Sequence, residues 1–145
     1  MAGLAIAIWA SLSAKNAAEQ ARDAARQVKD RIATLDTLAD VSAALAIMEE
    51  IKRLQRAGAW PTALDRYSAL RRHLNRVAEM SPGLTDAQRK ELAGSIYEFR
   101  RIEKKVDRGV ASGVKGLNLA NLNDVVSREI DRMERVMIAI KQAGS

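Results

Sequence analysis

The chain has 145 residues, 48 % of them apolar and 29 % charged, with a formal net charge of +6; this is ordinary globular usage, enough for one domain with a real core. It contains no cysteine, which excludes a disulfide scaffold, thiolate metal sites and a cysteine nucleophile, and fits a reducing compartment. The helix formers Ala, Leu, Arg, Glu and Lys dominate, and prolines and aromatics are scarce, so an all-α fold is predicted: a long N-terminal helix continuous with an antiparallel bundle of about four helices. A net positive chain directs attention to nucleic acid and anionic membranes. The excess of base is spread evenly from end to end, which is the pattern of a solvated helical surface.

The chain opens on an apolar, uncharged stretch from Gly3 to Ala14. As a helix, the first fourteen residues reach about 21 Å, short of the roughly 30 Å of a bilayer core. Trp9 near its end, followed by Lys15, Arg22, Arg26, Lys29 and Arg31, is what a cytoplasmic-side membrane boundary looks like. Leu4, Ile6, Ile8, Trp9 and Leu12 are therefore the candidate membrane contacts. A truncated or late-started transmembrane segment is the first reading; burial against another copy, monotopic insertion and a cleaved signal peptide are the others.

Ala14, Ala18, Ala21, Ala25, Val28, Ile32, Leu35 and Ala39 then follow alternating steps of four and three, a two-position heptad seam of small residues. Ala14 through Ile32 are the candidate self-association residues of a homo-oligomer. The alternative is that the seam folds back on its own bundle. Residues 1–36 are read as an apolar tip and helical stalk, and 37–145 as the bundle. The anchor followed by NAAEQARDAARQV resembles a broad group of uncharacterised bacterial proteins with one N-terminal transmembrane helix and a cytoplasmic all-helical domain. The resemblance implies an address, the cytoplasmic face of the inner membrane, and no activity; a cytoplasmic protein is the alternative.

From Leu38 the stripe thickens through Val41, Leu45, Met48, Ile51 and Leu54, and stops at Gly58. Thr34 and Asp36 are possible caps, so one helix or two stacked ones would fit. Pro61 suits the first turn of the next helix, with Leu64, Tyr67, Leu70, Leu74 and Val77 along one face and Ser81-Pro82-Gly83 ending it. Gly58, Trp60, Ala63, Tyr67 and Ala69 resemble the start of a tetratricopeptide repeat; with no second copy, this implies a helical hairpin only. Thr85 and Gln88 form a capping box for a stripe of Leu92, Ile96, Phe99, Ile102, Val106 and Val110. Gly109, Gly113 and Gly116 mark a frayed end and flexible turn. Asn118 or Asn121 caps the last helix, whose stripe is Leu119, Leu122, Val126, Ile130, Met133, Met137 and Ile140.

Motifs for chemistry are scarce. His73 is the only histidine and lacks the Glu-x-x-His spacing of a carboxylate-bridged metal site. Ser112-Gly113-Val114-Lys115 spells S-x-x-K without its partner motifs, and GVASGVKG lacks the spacing and strand of a phosphate-binding loop. No catalytic residue, cofactor or metal is predicted. Two basic runs, including Arg71, Arg72 and Arg76 on one helix and Arg101, Lys104 and Lys105 on the next, are the candidate surface for an anionic partner. The chain is thus expected to be a non-enzymatic, membrane-tethered, self-associating bundle that presents itself to a protein partner. The alternative is a soluble basic bundle that binds nucleic acid.

Overall fold

The computed structural model describes residues 2–144. Its helices are α1 (Ala2–Arg56), α2 (Trp60–Met80), α3 (Asp86–Ala111) and α4 (Leu119–Ala143), and no strand occurs among the described residues. The expected tip and tail begin and end on Met1 and Ser145, which lie outside the described residues. The fold is the expected all-α one. α1 passes Thr34 and Asp36 without a break, so the two-helix alternative does not apply.

By its internal contacts the chain divides into two compact units, between Ala33 and Thr34. The first is the opening part of α1. Its described side chains are exposed, apart from the half-buried Ser13 and Ala33. Alanine-rich composition rather than a core keeps this stretch helical.

The second unit is an up-down-up-down bundle, and its cross-links fix the direction of every neighbour. Glu50 meets Arg66 and Asp40 meets Arg76, so α2 runs antiparallel to α1. Tyr67 faces Phe99, while Arg89 reaches back to the carbonyl of Ala78, which sets α3 antiparallel to α2. Arg132 pairs with Glu91, and Ser95 donates to Glu129, which sets α4 antiparallel to α3. Gln55 donates to Asn123 and Ser42 reaches Met137, so α4 closes the ring against α1.

Each helix buries one line of residues in alternating steps of three and four. On α1 these are Thr37, Val41, Ala44, Met48, Ile51 and Gln55; on α2, Trp60, Ala63, Tyr67, Leu70, Leu74 and Val77. On α3 they are Leu92, Ser95, Phe99, Ile102, Val106 and Gly109, and on α4, Leu122, Val126, Glu129, Met133, Val136 and Ile140. A period near 3.5 on every helix is the signature of bundle packing at shallow crossing angles. Leu38, Leu45, Ile96, Val110, Leu119 and Met137, which the apolar stripes place at the centre, flank this line and are partly buried. The buried register itself carries the polar Thr37, Gln55, Ser95 and Glu129.

These inward polar groups are hydrogen-bonded, as burial requires. The Tyr67 hydroxyl donates to Gln55 Oε1 at 2.6 Å, and Gln55 Nε2 donates to Asn123 Oδ1 at 2.7 Å. Burial, with the Glu103 carboxylate nearby, raises the Tyr67 pKa and keeps the phenol protonated. Thr37 and Ser81 share a hydroxyl hydrogen bond of 2.8 Å. Glu129 takes the Ser95 hydroxyl and lies 3.5 Å from the Arg132 guanidinium.

The helix ends follow the local signals. Gly58 ends α1 at φ +70°, with Ala59 N–H bonded to Leu54 O and Gly58 N–H to Gln55 O, the two bonds of a Schellman cap. Ala59, at the N-cap of α2, offers no side-chain cap, and Pro61 sits in the first turn. Arg89 donates to Ala78 O and Ser81 O at the other end. The Thr85–Gln88 capping box and the Asn118 cap are both formed. The end of α3 differs from the expected frayed one. Val114 N–H bonds Gly109 O at 2.7 Å and Gly113 N–H bonds Val110 O at 3.1 Å, a second Schellman pattern. Gly109 itself is helical and buried.

Candidate interaction surfaces

The residues assigned to membrane contact belong to the first unit. Leu4 and Trp9 are each 71 % exposed, and Ile6, Ile8 and Leu12 are all more than half exposed. At about 100° per residue these five side chains span an arc of about 200°, and the rest of the circumference carries the small, uncharged Gly3, Ala7, Ala10 and Ser11. No helix among the described residues is long and apolar enough to cross a membrane.

The seam has a different geometry. Ala14, Ala18, Ala21, Ala25, Val28 and Ile32 are exposed, and their spacing keeps them on one side of α1. Its continuation, Leu35 and Ala39, is exposed as well, whereas Thr37 and Val41 are buried. Within the second unit an offset of two residues turns the helix by about 200°, so Leu35 and Ala39 face away from Thr37 and Val41.

The basic surface is only partly free. The α2 and α3 runs do adjoin, since Arg71 pairs with Glu103 at 3.3 Å. That contact spends Arg71 on an acid, Arg76 lies 3.4 Å from Asp40, and Arg101 lies 2.8 Å from Glu98. The hydrogen bond from Arg101 to Glu98 favours the charged guanidinium and raises its pKa. Arg72, Lys104 and Lys105 are exposed. His73 is half-buried with Nδ1 3.4 Å from Asp40 Oδ1, so it is a bundle contact rather than a surface residue. Glu49 and Glu50 face Lys52 and Arg53 one turn on, and Glu50 also reaches Arg66 at 3.0 Å.

One feature has almost no signal in the sequence. Arg101 and Lys105 edge a groove between α3, the 112–118 turn and the start of α4. Only the glycines of that turn mark it in the sequence, and they read there as a frayed helix end and a flexible turn. No group of three or more metal-ligating side chains gathers among the described residues. Comparison of the chain with protein-family models, with curated proteins and with solved structures finds no match.

Proposed function

We propose that the protein is a non-enzymatic interaction protein: its apolar tip enters a membrane, its alanine seam pairs with a second copy, and its bundle is presented to a protein partner at the cytoplasmic face. The observation that carries this reading is the contrast between the two halves of the first unit. A helix segment with bulky apolar side chains and no charged one on any face is suited to hydrocarbon rather than to water. A one-sided stripe of small residues needs only a single partner helix. The reading asks only that the tip contact hydrocarbon, a contact that pairing of two copies strengthens.

Energetics favour having both. Alanine contacts bury little area, and at about 25 cal/mol per Å² the seam alone supports a weak dimer. Confinement to a surface raises the effective concentration and makes such a contact effective. The same basic residues that a nucleic-acid reading would use are attracted to anionic headgroups, and Arg71, Arg76 and Arg101 already have acidic partners.

The full chain is expected to float with vesicles containing anionic lipid in a density gradient and to stay with them in high salt. Leu4→Asp with Ile8→Asp should leave it at the bottom. Recovery at the bottom for the unmodified chain would refute the tether.

A further inference from the structure

We propose that the groove between α3 and α4 binds a small phosphate monoester that carries an apolar portion. The groove has a volume of about 400 Å³, within the usual size of small-molecule sites. It lies at the end of the bundle where α1 finishes, since Gln55 is held there by Asn123, and thus at the opposite end from Thr34.

Its charge is one-sided. Lys105, Arg108 and Lys115 line it, and no acidic side chain does. These three cations are in no ion pair with the described residues, whereas Arg101 at the groove's edge and Arg66, Arg71, Arg76 and Arg132 elsewhere have carboxylates within 4 Å. The neighbouring hollow differs in composition: there Arg101, Arg128, Arg132 and Arg135 share the wall with Glu98, Glu129 and Asp131. A cluster of uncompensated cations on a structured wall is a site for a multiply charged anion, and a phosphate monoester brings close to two charges with three acceptor oxygens.

The floor selects what the phosphate is attached to. Ile102, Leu122 and Val125 are buried along it and Leu117 is half-buried. Leu117 reaches this position because Gly109 has no side chain; a Cβ there would overlap it. The turn carrying Lys115 is held in one shape by the second Schellman pattern, with Val114 at φ 70°, a backbone conformation that costs a β-branched residue energy and persists where the surroundings fix it. An inorganic anion would leave the apolar wall unused, and a neutral hydrocarbon would leave the cations unmet.

The test is a titration of the isotopically labelled full chain with hexyl phosphate, inorganic phosphate and hexanol, followed by backbone amide shifts. Hexyl phosphate is expected to shift Gly109, Lys115, Leu117 and Leu122 saturably, with the other two binding at least about tenfold more weakly. Lys105→Gln with Arg108→Gln should weaken hexyl phosphate by at least about tenfold, the loss of one or two charge-assisted hydrogen bonds. Both side chains are exposed, so the melting temperature should hold. Arg72→Gln, away from the groove, should change nothing. Shifts scattered over the basic faces, equal binding of hexanol, or an unaffected double variant would overturn the proposal. So would a single-stranded oligonucleotide that displaces hexyl phosphate at lower phosphate concentration, since that assigns the groove to nucleic acid.

Discussion

Replacing Phe99 by alanine should destabilise the bundle by about 3–5 kcal/mol and lower its melting temperature by about 10–20 °C. Phe99 is 3 % exposed, and its ring lies 6.4 Å from that of Tyr67 at a 56° tilt, so truncation removes an aromatic pair as well as apolar area. The cavity would open beside the Tyr67 ring, whose hydroxyl the Gln55 bond fixes in place. Collapse to fill it would break that chain of hydrogen bonds to Asn123. Tyr97, two residues earlier on the same helix, is 66 % exposed, and Tyr97→Ala should stay within about 0.5 kcal/mol of the parent. Chemical denaturation of the two variants side by side tests the orientation of α3. Equal effects would mean that the helix is rotated from the position described.

The double change Ala21→Glu and Ala25→Glu should abolish self-association while leaving the bundle melting as before. In a paired seam each copy contributes two carboxylates to a contact made for methyl groups, and burying unpaired charge next to like charge is costly. A rise of at least about a hundredfold in the dimer dissociation constant is expected, near 3 kcal/mol. Both positions are exposed and lie in the first unit, outside the bundle core. Sedimentation or light scattering on the full chain reads the result. An unchanged oligomer would remove the seam from the account.

Much of the fold was legible because its signals are local. Gly58, Pro61, the Thr85–Gln88 pair and Asn118 each act within one helical turn, and each ends or starts a helix where its chemistry requires. The register of the core was less legible. Gln55 and Glu129 are polar and belong to none of the apolar stripes, yet each occupies a step in the buried line, because Asn123 and Ser95 wait on the facing helix to satisfy it. Only the pairing of helices reveals such partners. The same holds for charge: Arg71, Arg76 and Arg101 look equivalent to Arg72, Lys104 and Lys105 until Glu103, Asp40 and Glu98 are brought beside the first three. The groove was hidden for a further reason. It depends on the missing side chain of Gly109 admitting Leu117 from across a turn, and a glycine in a list of turn residues gives no sign of what fills its place.

Trp9 offers the most direct measurement of the membrane claim, because the other tryptophan, Trp60, is buried in the bundle at 8 % exposure. On mixing the full chain with anionic vesicles, its emission should move to the blue and be quenched by lipids brominated in their acyl chains, and Trp9→Phe should lose both effects. Emission that stays at the wavelength of a water-exposed indole, with no quenching at saturating lipid, would contradict an inserted tip.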